Sequence, residues 1–360
     1  MSVTLNPKVK KLLHEGTVIP AHPLALNDGR KLDEKRQRML TQYYTASGAG
    51  GIAVGVHTTQ FEIRDKGIDL YEPVLRLAVE EVEKVMQGQP FIKVAGVAGP
   101  TSQGLKEAET AKNLGYDLAL VSMGGLSDLD EKTHLERVRT ISEVIPVFGF
   151  YLQPAVGGRV FSYDFWRKFA EIPNLYAIKL APFDRYHTSD VVRAVCESSR
   201  GKEIALYTGN DDNIVGDLLT EYRFEINRRI VTKQIVGGLL GQWAVWTSKA
   251  VELLSQVKKA RSQGVIPVDL LTLGAELTDA NSALFDPVNG FKGSIAGINE
   301  VLRRQGLLQT NLCLNPKERL SPGQATEIDR IYRQHPHLQD DSFVAENVTK
   351  WCSEESAKHH

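Results

Sequence analysis

Between residues 17 and 240 the chain repeats one rhythm: a short β-branched or Gly-flanked apolar run, a polar loop, then a stretch with helical spacing. The strand candidates are 17–21, 51–56, 91–97, 118–123, 147–153, 175–181, 204–208 and 234–240. Strands alternating with helices imply a parallel sheet, and eight such units is the number that closes a barrel. The alternative, an open doubly wound sheet, would put Gly-x-Gly-x-x-Gly after the first strand if it bound a dinucleotide, whereas Ala21-His22-Pro23-Leu24-Ala25 has no such turn. Helix punctuation fits the barrel. Asp33, Thr101 or Ser102, Ser162 and Ser189 are expected to open helices, and Gly115 and Gly201 to end them. The expected fold is a (β/α)8 barrel over residues 1–262. From Gln263 the strand rhythm stops, and helical segments at 270–280, 293–305 and 322–334 are separated by Asp286-Pro287 and Asn315-Pro316. These predict a helical extension over 263–350 and a tail over 351–360, in which Lys358-His359-His360 looks like the remnant of an affinity tag.

Composition narrows the class. The 360 residues are 42% hydrophobic and 24% charged, with a net charge of −1. Near-neutral charge without a Lys/Arg block argues against nucleic acid or an anionic membrane as partner. No apolar run approaches the ~18–20 residues of a membrane span. The start, Met1-Ser2-Val3-Thr4-Leu5-Asn6, lacks the layout of a signal peptide. Cys196, Cys313 and Cys352 are odd in number and far apart, which suits a reducing compartment and offers neither a disulfide framework nor a metal site. A cytoplasmic protein without metal or organic cofactor is expected.

Lys179 is the residue that points to chemistry. It lies in Leu175-Tyr176-Ala177-Ile178-Lys179-Leu180-Ala181. In a strand, Tyr176, Ile178 and Leu180 share one face, and Ala177, Lys179 and Ala181 the other. The small face leaves a void around one amine, and water-poor surroundings lower a lysine pKa and make it nucleophilic. The plain alternative is a lysine whose stem covers apolar surface while its head reaches water.

In closed βα barrels, chemistry collects at the carboxyl ends of the strands. His22, His57-Thr58-Thr59, Ser122, Tyr151, Gln153, Lys179 and the turn Gly209-Asn210-Asp211-Asp212 all fall there. On the fifth strand Val147, Gly149, Tyr151 and Gln153 share a face. With that face inward, the Tyr151 phenol is expected beside Lys179. Lysine forms imines with ketones, and a phenol moves the protons this requires.

These residues carry a resemblance. Phe150-Tyr151-Leu152-Gln153-Pro154 with Gly158, then Asn174-Leu175-Tyr176-Ala177-Ile178-Lys179, resemble the Tyr-x-x-Pro…Gly segment and Ile-Lys strand of the dihydrodipicolinate synthase / N-acetylneuraminate lyase family of class I (Schiff-base) aldolases and lyases. The Gly209-Asn210-Asp211-Asp212 turn is similar to that family's Gly-Asp/Asn-Asp turn, and Leu284-Phe285-Asp286-Pro287-Val288 also resembles it. The resemblance runs over residues 15–335. It implies a TIM barrel with a carboxy-terminal helical domain, assembly as a homotetramer or homodimer, an imine on Lys179 and acid/base action by Tyr151.

The chain also departs from the family. The family's Gly-Thr-Thr-Gly-Glu is replaced by Gly55-Val56-His57-Thr58-Thr59-Gln60. Either Thr58 and Thr59 hold the substrate carboxylate from a longer loop, which is the reading favoured here, or Val56 and His57 occupy those places. Ser122 stands in the region of a synthase tyrosine, and Val156 where the synthases carry an arginine, with Arg159 three residues on. The expected function is a lyase or aldolase acting on pyruvate or another 2-oxo acid, with an aldehyde as possible second substrate. Catalytic Lys179 and Tyr151 are accompanied by substrate-binding Thr58, Thr59, His57, Ser122, Gln153, Arg159 and Gly209. Other readings are a true 4-hydroxy-tetrahydrodipicolinate synthase, a sugar-acid dehydratase of the same family, a non-catalytic 2-oxo-acid-binding descendant, and a phosphate-binding barrel suggested by the glycines of Val236-Gly237-Gly238-Leu239-Leu240-Gly241.

Overall fold

A computed structural model describes residues 3–353. Its strands are β1 (Val18–Pro20), β2 (Gly51–Val54), β3 (Ile92–Val97), β4 (Leu118–Val121), β5 (Val147–Leu152), β6 (Leu175–Ala181), β7 (Ala205–Thr208), β8 (Glu221–Ile226) and β9 (Arg229–Leu240). The sheet runs β1-β9-β7-β6-β5-β4-β3-β2 with parallel neighbours. A parallel bridge between Ala21 and Ala53, with the His22 N–H donating to Ala53 O at 2.8 Å, joins β1 to β2 and closes the ring. The fold is a (β/α)8 TIM barrel.

The surplus strand β8 pairs only with the first half of β9, antiparallel, as a ribbon beside the barrel. Sequence reading missed it. Its two-residue turn places Asn227 and Arg228 both at positive φ, 51° and 61°, as a type I′ turn requires. An arginine at the second position lacks the usual Asn-Gly signature, so nothing marked a hairpin.

Local capping agrees with expectation at two of the sites. Asp33 accepts from the Arg36 N–H to open the Glu34–Ala46 helix, and Ser162 accepts from Phe165 N–H to open Tyr163–Phe169. Each such cap contributes about 1 kcal/mol. Ser189 is not a cap: Asp184, five residues earlier, accepts from His187 N–H and starts Arg185–Glu197.

Apolar residues form two layers. One lies between sheet and helices and includes Val54, Val97, Val121, Ile178, Leu180 and Leu206. The other fills the lumen and includes Ile19, Ala53, Val94, Leu120, Phe148, Phe150, Ala177, Ala181 and Tyr207. The amino-terminal end of the lumen is stoppered by Leu5 and by Val9 and Leu13 of the Pro7–Glu15 helix that follows it, and the buried Tyr207 hydroxyl donates to Leu13 O at 2.9 Å.

After the last barrel helix, Thr247–Gln263, come Val268–Phe285, Ser294–Arg304, Gln324–Gln334 and Asp341–Ser353. The last of these runs past residue 350, and Trp351 packs against Tyr43 and Phe343 with ring centroids 6.0 Å away in each case. The expected tail therefore begins inside a packed helix; Lys358-His359-His360 lie outside the described residues. Among the described residues no helix is long and apolar enough to cross a membrane.

Candidate active site

Lys179 stands on the inner face of β6, flanked by Ala177 and Ala181, which belong to the lumen cluster, while Ile178 and Leu180 face the helices. Its side chain enters a cavity of about 70 Å³ at the carboxyl end of the barrel. Room for the lysine stem comes from Gly209: a Cβ there would lie 2.5 Å from Lys179 Cε and 2.9 Å from Ala181 Cβ. Any larger residue would displace the amine. Burial lowers the Lys179 pKa, and the neighbouring Asp211 carboxylate offsets part of that fall.

The expected partner is not there. In β5, Phe150 pairs with Lys179 and Tyr151 with Leu180. Laterally paired residues of parallel strands share a face, so Phe150 enters the lumen and Tyr151 turns outward. The Lys179 amine sits 4.5 Å from the centroid of the Phe150 ring, a cation–π geometry. Tyr151 is buried on the far side of the sheet, its ring 4.8 Å from Trp166 and 6.0 Å from His187, with its hydroxyl by the Phe161 backbone. The expectation that Gly149 and Tyr151 face inward is corrected: Phe148, Phe150 and Leu152 enter the lumen, beside Ala177, Lys179 and Ala181 of β6.

The loop after β2 also differs from expectation. Val56, His57 and Thr58 line the cavity. Thr59 does not contribute a free hydroxyl: its Oγ1 accepts from the Gly55 and Val56 N–H groups at 3.0 and 3.2 Å and donates to His22 O at 2.7 Å. The Thr58 hydroxyl donates to Ala21 O at 2.8 Å. Both threonines build the turn. Half-buried beside the Lys179 charge, the His57 imidazole is pushed down to about 4, desolvation being the larger cause. His22 is a satisfied core histidine, with Nδ1 2.9 Å from Pro23 O and Nε2 2.9 Å from Thr41 Oγ1.

Gln153 reaches the cavity wall, as does Gly209. Ser122 and Arg159 are outside it. The Ser122 hydroxyl accepts from Gly124 N–H at 3.2 Å beside a separate hollow. The Arg159 guanidinium donates to Leu129 O at 2.7 Å and lies 5.1 Å from the Phe161 ring centroid. The glycines at the end of β9 have a packing explanation. A Cβ on Gly237 would meet Thr17 O at 2.5 Å, and one on Gly238 the Trp243 ring at 2.6 Å.

Asp211 was quoted within its turn but not taken as a site residue. It lines the cavity, and its Oδ1 accepts from Gln242 N–H at 3.2 Å. The turn is pinned from several sides: Asn281 donates to Asp211 O at 2.7 Å, and Asn210 accepts from Phe183 N–H at 2.9 Å and donates to Asp217 at 2.8 Å. Burial raises the Asp211 pKa, against the Lys179 charge that lowers it. The cavity roof was also missed. Phe183, Phe285, Phe291, Ser294, Ile295 and Ile298 supply it, the last five from the carboxy-terminal segment. Phe183 and Phe291 adopt left-handed backbone conformations, φ 54° and 65°, and meet edge to face at 5.9 Å. Outward, a larger hollow of about 490 Å³ shares His57, Val156, Phe291, Ser294 and Ile295 with the cavity. Remote from it, Glu276, His335 and His337 each bring one potential metal-ligand atom within 4.8 Å of the others.

No family model and no curated protein matches the chain. Solved structures do. Dihydrodipicolinate synthase from Acinetobacter baumannii complexed with pyruvate superposes with a TM-score of 0.71 at 18% identity, over 88% of this chain and 98% of that one. N-acetylneuraminate lyase from Fusobacterium nucleatum complexed with pyruvate gives 0.69 at 15%, over 90% and 98%. Dihydrodipicolinate synthase from Aquifex aeolicus gives 0.69 at 16%, over 90% and 99%. At such identities the likeness is one of fold: this chain has the barrel of the dihydrodipicolinate synthases and N-acetylneuraminate lyases, with its carboxy-terminal helices included.

Proposed function

We propose that the chain is a divergent member of the dihydrodipicolinate synthase / N-acetylneuraminate lyase family, a lyase or aldolase that binds pyruvate or another 2-oxo acid as an imine on Lys179. The observation that carries this reading is the Lys179 amine itself. It stands partly buried in a small, largely apolar cavity at the carboxyl end of a barrel strand, its charged form disfavoured by desolvation and its stem cleared by Gly209. Two structures of the same fold are complexed with pyruvate, which supports the substrate class.

The uncharged amine attacks the carbonyl carbon, and loss of water leaves an iminium. That cation draws electrons from an adjacent C–C bond in cleavage, or yields an enamine nucleophile in condensation. With both threonine hydroxyls engaged by backbone carbonyls, carboxylate binding falls to other donors. The first N–H groups of a helical turn have no acceptor within it, and His57 and Thr58 begin such a turn at the cavity wall. The Gln153 side chain, 8% exposed on the same wall, is a third donor. Ser122 and Arg159 lie outside the cavity, which supports the reading that the second-substrate apparatus of a true synthase is altered. Assembly as a homo-oligomer belongs to the same reading.

The test is borohydride reduction in the presence of pyruvate, followed by peptide mass analysis. A reduced adduct on Lys179 is expected. No adduct with pyruvate or a panel of 2-oxo acids would sink the proposal. The specific observation favouring a non-catalytic descendant is Phe150 in place of a phenol beside the amine; adduct formation without turnover would select it.

A further inference from the structure

Imine chemistry needs a proton carrier, and the outward-facing Tyr151 leaves that role open. An acid must convert the carbinolamine hydroxyl to leaving water. A base must take the proton from C3 of the bound 2-oxo acid, or from the hydroxyl of an aldol whose C–C bond breaks. The titratable side chains on the cavity wall, among the described residues, are His57, Lys179 and Asp211. Lys179 is the nucleophile.

We infer that Asp211 is the catalytic acid/base of this site, the carboxyl group doing from β7's loop what a phenol on β5 would have done. This rests on the Lys179 imine reading. Asp211 is 9% exposed and borders the same small cavity as the amine. Its Oδ1 is held by the Gln242 N–H and its carbonyl by Asn281, so the carboxyl is fixed by backbone and amide contacts. The next residue, Asp212, has a different environment: it faces Arg185 at 3.8 Å and does not line the cavity. The charged groups that act on Asp211 are Lys179 and Asp212; burial outweighs the former and, with the latter, favours its protonated form. His57 is pushed the other way and is a poor carrier near neutral pH.

The steps balance. Lys179 as free amine adds to C2, and the Asp211 carboxylic acid gives its proton to the departing hydroxyl, leaving iminium, water and the Asp211 carboxylate. That carboxylate removes a proton from C3, giving the enamine, or from the aldol hydroxyl, so that the C–C electrons pass to the iminium and an aldehyde departs. The protonated Asp211 returns the proton to C3 of the enamine, and water then hydrolyses the iminium. A lysine and a carboxyl that share one proton form the starting state, because burial moves both toward their uncharged forms.

The experiment compares the full-length wild type with D211N, using pyruvate as probe. Two readouts are followed: borohydride trapping on Lys179, and exchange of the pyruvate methyl protons with D2O by proton NMR. The expected result is that D211N forms the trapped adduct more slowly, reaching it on long incubation, and exchanges the pyruvate methyl protons about 10²–10⁴-fold more slowly. D211E should recover part of the loss. Exchange in D211N within threefold of wild type, with trapping intact, overturns the assignment and leaves the imine standing. An adduct-free wild type removes both. If D211N folds poorly, the wild-type pH profile decides. One shared proton predicts a bell, and a rate that keeps rising on the alkaline side overturns the role of Asp211.

Discussion

The two ends of the barrel lumen are both buried and largely apolar, yet they are built on opposite terms. At the amino-terminal end Leu5, Val9 and Leu13 close the opening, and the buried Tyr207 hydroxyl is satisfied by Leu13 O. At the carboxyl end a lysine, an aspartate and a histidine share a small cavity under aromatic side chains, each with its charged form disfavoured. The first end lowers the free energy of the fold. The second stores unfavourable solvation, as sites that need reactive groups do.

The largest test of this contrast is Lys179→Ala. It should abolish the borohydride adduct altogether while leaving the circular-dichroism melting curve as cooperative as before; loss of folding instead would make the lysine structural. Leu13→Ala attacks the other end. Deleting a fully buried leucine should cost about 2–5 kcal/mol in urea titration. Adduct yield per folded molecule should be unchanged, and a lost adduct in folded L13A would mean that the two ends are coupled.

His22 probes the contrast within the mouth, since it is buried but fully partnered. Its folded pKa is held at about 4 by burial, against 6.5 in the unfolded chain. Between those values the unfolded chain binds more protons, so stability is retained above pH 6.5 and falls as pH drops toward 4. The loss is on the order of 2–3 kcal/mol. His22→Gln should remove its share of that slope, His57 keeping a comparable one, and a urea-midpoint profile unchanged by the substitution would refute the assignment to this residue. The smallest effect is expected from Tyr151→Phe: trapping within twofold of wild type and stability within about 1 kcal/mol. A tenfold slower adduct would bring the phenol back into the chemistry.

Much of the architecture was legible because parallel strands buried on both faces read as short apolar runs between polar loops. Lys179 was legible because its own strand alternates small and large residues without ambiguity. The neighbouring strand was not. Phe148, Gly149, Phe150 and Tyr151 offer bulk to both faces, and only pairing with β6 decides which enters the lumen. Spacing to a proline and a glycine pointed to Tyr151, whereas the register selects Phe150. Thr58 and Thr59 were chosen for their hydroxyls, and those hydroxyls are spent on the turn that holds them. Asp211 could be narrowed to its acidic turn but not separated from Asp212, because the Arg185 contact that tells them apart is made only in the fold. The roof residues could not: Phe285, Phe291 and Ile298 lie far along the chain in a region without strand rhythm, and nothing local says what they cover.

That roof has a consequence for how late the cavity is completed. Five of its six residues belong to the final third of the polypeptide, so the cover over the Lys179 amine is in place only once that segment has been made and packed. On the imine reading, a barrel truncated before it would hold the same lysine more open to water.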